Sequence, residues 1–365
     1  MEKQQITVIY GDSPLEMTKY LLQYISPAPG INKHSLIGIK PNLVKSVPSA
    51  SGATTSPDIV RGIIEYFQAH GFKNIIILES SWIGDRTEKA FKVCGYDKIA
   101  AQYGIPLVDL KKDPVREIKC NGELTLGLCK TALAVDYLIN VPVLKAHCQT
   151  RLTCALKNLK GCIPDSEKRE FHRLGLHNPI AYLNRALRNS LIIVDGIRGD
   201  LTHEEGGNPV EMGRIIGGFD PVLIDSYAAS LLGYRVDDVP YIRIAKELGV
   251  GHLFNHRTPV TELNADRKPR VKVKPRGKAR YLAGWIEEKE ACSPCYGHLI
   301  HALRRLEEAR MIDRLTLKVC IGQGFKGIEE AGYGIGNCTK GLKHSLPGCP
   351  PSTTDIIKFL SSIKI

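Results

Sequence analysis

Nowhere in the 365 residues is there an unbroken apolar run of the about 18 residues that a membrane helix needs. No bilayer-spanning helix is expected. The opening residues, MEKQQITVIYGDS, lack the basic start and apolar stretch of an export signal, so the expected location is cytoplasmic. Without an oxidising compartment, the 11 cysteines are not expected to form a disulfide framework. Internal repeats and low-complexity tracts are also missing. Composition is otherwise that of a globular protein, 43% hydrophobic and 24% charged, long enough for more than one core.

Negative charge is the scarcer sign. The formal net charge is +12, and the segment ADRKPRVKVKPRGKAR (265–280) alone holds eight Lys or Arg. Such a run is either a solvated linker or a patch for nucleic acid or an acidic protein. It has no interleaved aromatics, and the chain shows no nucleic-acid-binding module. The linker reading therefore stands, with no nucleic acid and no membrane among the expected partners.

Strand and helix signals alternate through the first 150 residues. ITVIYG (6–11), LIGIKPNLV (36–44), NIIILESS (74–81), IPLVDL, VDYLINVPVLK (135–145) and NSLIIVDGI (189–197) read as strands. SPDIVRGIIEYFQAHG (56–71) reads as a helix, with Ser56 as N-cap, Pro57 in the first turn and Gly71 closing it. TEKAFKVCGYDKIAAQYG reads as one further helix. The pattern predicts an α/β domain with a mostly parallel sheet and flanking helices over 1–262. A basic linker over 263–280 and a small cysteine-rich α/β module over 281–365 complete the expected organisation.

That module carries Cys292, Cys295, Cys320, Cys338 and Cys349. CSPC turns two sulfurs toward one centre, at the start of a helix whose N–H groups favour thiolate charge. Cys338 lies in GIGNCTKG and Cys349 in PGCPP. Glycine lets the chain pass close to inorganic sulfide, and proline fixes the turn and removes a donor. Cys292, Cys295, Cys338 and Cys349 are the expected ligands of a 4Fe–4S cluster. Structural zinc is the competing metal, but it more commonly uses two close pairs, and here only one pair is close. Cys320, in an apolar strand, reads as core.

Polar clusters follow several strands, as they do where ligands bind at the carboxyl ends of parallel strands. VPVLKAHCQTRLTCALKNLKGCIP (141–164) holds Lys145, His147, Thr150, Lys157, Asn158 and Lys160; Lys40 and Asn42 join from KPN. Cations grouped in an enclosed cleft suit a carboxylate or phosphate, and burial lowers lysine pKa values toward neutrality. Lys145, His147 and Lys157 are the candidate catalytic groups. Lys40, Asn42, Thr150, Asn158 and Lys160 are the candidate binders of a small anionic substrate. If 150–160 is helical, Thr150, Thr153 and Lys157 share a face. The hydroxyls of SGATTSP (51–57) either bind an anion or cap the helix. Asp195, Asp220 and Asp225 balance the lysines or hold a cation. Cys148, Cys154 and Cys162 read as packing.

KPNLV, NVPVLKAHCQTRLTCALKNLKGCIP, IVDGIRG and GGFDPVLIDSYAASLLG resemble, in order and over roughly 35–250, the domain-of-unknown-function 362 family (DUF362). Its members show a KPN strand end, a PxxKxH segment leading to a KN-x2-G turn, a DG strand end and a DPV-x2-D helix. Many relatives attach a ferredoxin-like double-cluster domain. This chain instead resembles an iron–sulfur branch with a CSPC…GIGNC…PGCPP module, and GCPP is similar to a cluster-binding turn of hydrogenase and quinone-oxidoreductase small subunits. Where the family has mEGnGP, this chain has LTHEEGGNPVEMG, keeping Glu204, Glu205, Gly206 and Pro209. The resemblance implies no established reaction. The residues are read as those of an iron–sulfur redox enzyme. A carrier or maturation factor docking an acidic redox protein, and a lyase or isomerase with a structural cluster, remain the alternatives.

Overall fold

The computed structural model describes residues 4–121, 124–202, 204–269 and 282–363. The chain divides into two compact units, Met1–Glu167 with His177–Pro275, and Lys168–Leu176 with Arg276–Ile365. The second unit thus takes a short stretch from the middle of the chain as well as the expected C-terminal module. Most of the basic segment, from residue 270 to 281, lies outside the described residues.

Strands β1 (Ile6–Tyr10), β2 (Ile37–Pro41), β3 (Ile75–Glu79), β4 (Leu107–Asp109), β5 (Val115–Asn121), β6 (Leu124–Cys129), β7 (Tyr137–Val141), β8 (Lys145–His147), β9 (Arg151–Thr153), β10 (Leu191–Asp200), β11 (Pro209–Gly218) and β12 (Val260–Glu262) belong to the first unit. Eight of them form one sheet in the order β12-β1-β11-β10-β7-β2-β3-β4. Only β11 runs antiparallel to its neighbours, so the sheet is mostly parallel, as the alternating pattern predicts. Helix Pro57–Ala69 lays Ile59, Ile63, Ile64 and Phe67 into a buried layer with Ile37, Ile39, Ile75, Ile77 and Ile139 of the sheet. Burying each such side chain contributes about 1.5–3 kcal/mol, which seats the strand ends firmly.

Local readings differ at three places. The helix expected from TEKAFKVCGYDKIAAQYG is two, Thr87–Val93 and Tyr96–Tyr103, because Gly95 between them takes φ 79°. Residues 150–160 are not one helix: β9 pairs with β8 as a hairpin, and a single helical turn, Ala155–Asn158, follows. Thr150 and Thr153 therefore do not share a helical face with Lys157. Ser56 makes no side-chain cap; its backbone N–H instead donates to Asp195 Oδ2 at 2.8 Å.

The second unit holds a parallel sheet of four short strands, β13 (Ile286–Glu288), β14 (Val319–Ile321), β15 (Tyr333–Ile335) and β16 (His344–Leu346), in that order. Helices Ser293–Glu308 and Thr353–Ser362 accompany it. Among the described residues, no helix is long and apolar enough to cross a membrane.

Candidate functional sites

In the second unit, parallel register does the assembling. Ile286, Val319, Tyr333 and His344 pair in one row, so all four strands leave the sheet at the same edge. The segments that follow β13, β15 and β16 carry Cys292 with Cys295, Cys338, and Cys349. The last two segments are stitched together: Gly336 N donates to Leu346 O at 2.8 Å, Asn337 N to Gly348 O at 2.9 Å, and Gly348 N to Asn337 Oδ1 at 2.9 Å. Gly336 takes φ 97°, and a Cβ there would lie 3.8 Å from Cys295 Sγ. Cys292 is the N-cap residue of helix Ser293–Glu308, and Cys295 lies in its first turn. Burial pushes the Cys295 thiol far up, and Cys292, Cys349 and Cys338 push it further, so each of the other three sulfurs lies within electrostatic reach. The Cys338 thiol, also raised by burial, is drawn back by Lys326 and Arg169. Cys320 stands apart in β14, packed with Phe325 and Leu342 as a core residue.

In the first unit, the carboxyl ends of β2, β3, β7 and β10 converge. Lys40, fully buried, pairs with Glu79 at 2.8 Å and donates to Pro41 O at 2.7 Å. Glu79 also accepts Leu43 N and Ser80 N. The glycine of the KN-x2-G turn, Gly161, lies against this pair: a Cβ there would collide with Glu79 Oε1 and stand 2.5 Å from Lys40 Cε. Asn158 donates to Asn140 Oδ1 at 2.7 Å and reaches the Lys40 and Pro41 carbonyls, bracing the strand end. Asn42 accepts from Lys145, and the Thr150 hydroxyl donates to Leu152 O. The Thr54 and Thr55 hydroxyls donate to the Val47 and Val141 carbonyls. Lys160, partly buried, lies on the turn Leu159–Cys162.

Lys145 is 1% exposed and donates to Ala53 O at 2.5 Å, Glu204 O at 2.9 Å and Asn42 Oδ1 at 3.3 Å. Burial, then Lys157, pulls its amine down to about 7. Lys157 is drawn down to about 8 by burial, against the Glu204 carboxylate, which holds it up. Asp195 accepts Ser56 N and Ile197 N, Asp225 accepts Ala155 N and Leu156 N, and Asp220 caps helix Pro221–Leu231. Asp195 and Asp225 thereby hold backbone next to the motif segment, whereas Asp220 follows antiparallel β11 and lies at the opposite edge of the sheet.

Two residues that motif reading passed over complete the group. Glu204, buried, accepts the Cys148 thiol at 3.1 Å and the Cys148 backbone N–H at 3.2 Å, with His147 Nε2 at 3.4 Å. Donor atoms of His147, Cys148 and Glu204 all lie within 4.8 Å of one another, close enough to share a metal ion. Cys148 resembled its packing neighbours Cys154 and Cys162, both fully buried. The signal for Glu204 was the EEGG remnant after the DG strand.

Residues 37–230 match the family model described as "Domain of unknown function (DUF362)". The thylakoid-associated protein sll1697 of Synechocystis sp. is 26% identical over 224 residues, covering 58% of this chain and 67% of that protein. The lactate racemase apoprotein of Thermoanaerobacterium thermosaccharolyticum aligns at TM-score 0.40 and 15% identity, covering 64% of this chain and 58% of that one.

Proposed function

The chain belongs to the DUF362 family, and on that premise we propose that it is an iron–sulfur protein, a redox enzyme for a small anionic substrate. Cys292, Cys295, Cys338 and Cys349 would hold a 4Fe–4S cluster in the second unit. The cleft of the first unit would hold the substrate. The observation that carries this reading is the shared exit edge of β13, β15 and β16, which gathers sulfurs distant in sequence.

The donor set fits the group. Cys292, Cys349 and Cys338 all raise the Cys295 thiol, and a cationic iron core is what relieves adjacent thiolates. Positive-φ glycines precede or flank the ligands at Gly336 and Gly348, where close approach to sulfide is needed. Lys326 and Arg169 supply balancing charge near Cys338. When bound, such a cluster supplies one-electron transfer, and four protein thiolates leave no iron open to substrate. In the cleft, Lys145, His147 and Lys157 are proposed as the reacting and ligand-binding groups. Lys40, Asn42, Thr150 and Asn158, whose polar atoms are hydrogen-bonded within the protein, shape it, with Lys160 at its margin.

Protein purified without air is expected to show broad visible absorbance that dithionite bleaches, with about four iron and four sulfide per chain. Colourless protein carrying zinc would defeat the redox reading. Under the alternative of a carrier for an acidic redox protein, replacing Lys157 leaves electron transfer intact. Under a lyase or isomerase reading, turnover survives reduction and oxidation alike.

A further inference from the structure

His147, Cys148 and Glu204 satisfy a distance criterion for a metal ion, and their separations of 3.1 and 3.4 Å approach the about 3.3–3.5 Å edges of a tetrahedral zinc sphere. The protons around them do not fit one. His147 Nδ1 accepts the backbone N–H of Gln149 at 3.1 Å and of Thr150 at 3.2 Å. A ring nitrogen that accepts carries no proton, so the neutral imidazole holds its proton on Nε2, the atom facing Glu204. A metal-bound imidazole needs its lone pair on Nε2 and a proton on Nδ1 to give to an acceptor. Here two amides already present protons to Nδ1, because the hairpin tip after β8 folds back on its own histidine.

Glu204 is therefore a buried carboxylate that accepts the Cys148 N–H and S–H, while His147 Nε2 of the same hairpin lies 3.4 Å away without hydrogen-bonding to it. The cations divide just as clearly. Lys40 is neutralised by Glu79, and the Lys145 ammonium has three acceptors for its three protons. Lys157 is partly exposed and, among the described residues, donates no hydrogen bond and forms no ion pair; the carboxylate that holds its charge is Glu204.

Resting on the reading of this cleft as an anion site, we propose that Lys157 docks a small oxyanion, carboxylate or phosphate. Glu204, held by the Cys148 N–H and S–H, is its counter-charge, and no metal ion stands between them. The incoming anion gains a charge-assisted hydrogen bond from an ammonium that no described residue engages. Lys145 ties the Asn42 side chain to the Ala53 and Glu204 backbones, within electrostatic reach of Lys157.

Competitive acetylation of the whole protein with acetic anhydride, read lysine by lysine by peptide mass spectrometry, tests this. Lys157 is expected to label while Lys40 and Lys145 stay protected. Saturating inorganic phosphate in one arm, or succinate in the other, should slow Lys157 labelling about fivefold while leaving surface lysines unchanged. The arm that protects identifies the oxyanion; protection in neither arm overturns the proposal. Glu204→Gln should speed Lys157 labelling, and an unchanged rate with unchanged labelling elsewhere also counts against it. Imidazole nitrogen NMR, assigned with His147→Gln, should show the Nε2–H tautomer. Cobalt(II) giving a thiolate charge-transfer band that Cys148→Ser abolishes would make this a metal site and sink the proposal. Failure here with bleachable iron absorbance intact leaves the cluster reading standing; loss of that absorbance with Lys157 still protected does the reverse.

Discussion

In the first unit, strands of up to ten residues stack into an eight-stranded sheet, and helices Pro14–Ile25 and Pro57–Ala69 seal one apolar layer over it. In the second, each of the four strands has three residues, and among the described residues the apolar cluster around Cys320 has Phe325 and Leu342 as its other buried members. Both sheets present loops from the carboxyl ends of parallel strands. The difference lies in what holds those loops. Around the cleft, buried acids and amides tie the backbone down: Glu79, Asp195, Asp225 and Asn158. Around the cysteines, the loops are tied to one another by two backbone–backbone hydrogen bonds and one to the Asn337 side chain, and thiols converge there. A ligand site resting on a large core can stay rigid with nothing bound. A site resting on three-residue strands draws its order from what it binds.

The largest effect should follow from cutting that dependence. Cys349→Ser is expected to abolish iron retention and to expose β13–β16 to hydrogen exchange, while β2, β3 and β7 keep their protection. Iron assay with exchange mass spectrometry checks both halves. A variant that holds its full iron complement would show that Cys349 is no ligand. One that loses protection equally in both units would erase the contrast.

Next in size is the buried pair of the first unit. Glu79→Ala leaves the Lys40 ammonium buried without its counter-ion and removes the acceptor of Leu43 and Ser80 N–H. A loss of about 3–5 kcal/mol is expected in denaturant unfolding. Lys40→Met on that background should recover part of it. A loss below about 1 kcal/mol would mean water reaches the pair.

Sequence patterns carried the first unit because its strands are long enough to show continuous apolar runs between turn residues. ITVIY, IGIKP and IIILE needed no help from tertiary contacts to be read. The motif segment was harder. KAHCQTRLTCALKN has helix-forming residues throughout, yet β8 and β9 pair across its first half, with Arg151 at φ 64° in the hairpin. Tertiary pairing overrode local propensity there. Of the second unit's four strands, β14 reads as a strand within RLTLKVCIGQGF, but β13, β15 and β16 were nearly invisible for a different reason. Three residues are too few for any period to appear, so GYGIG and KHSLP look like loop. The cysteine spacing, by contrast, was legible without the strands, since chemistry at a ligand depends on residue type before fold. Glu204 illustrates the remaining gap: the EEGG remnant marks its place, but only the hairpin facing it gives it a role.

A smaller effect should appear in pH dependence. Burial pushes the Asp225 carboxyl up to about 7 from its ordinary 3.8, and Asp195 up to about 6. The folded chain therefore holds protons that the unfolded chain has already released. Stability from these groups is full at low pH and is lost as pH rises from about 4 through 7. Asp225→Asn should flatten that fall by about 2 kcal/mol, allowing for the two backbone amides, which favour the carboxylate. Denaturant midpoints taken across that pH range give the slope directly. An unchanged slope would mean Asp225 is already ionised when folded, its amide bonds outweighing its burial.

The smallest effect sharpens the contrast among the cysteines themselves. Cys320 sits in β14, between strands whose following segments carry three of the quartet, and its sulfur packs in the cluster with Phe325 and Leu342. Its thiol is raised by burial first and by Glu287 next, with no other cysteine acting on it, whereas Cys295 feels three. Cys320→Ala removes one sulfur from a small apolar cluster and no ligand. The expected cost is about 1 kcal/mol in stability, with iron content and visible absorbance unchanged. Measured beside Cys338→Ser, which should lose the absorbance, this variant separates burial from ligation within a single sheet. Were Cys320→Ala to bleach the protein as well, the second unit could not be divided into core thiol and ligand thiols, and the shared exit edge would no longer suffice to choose the four.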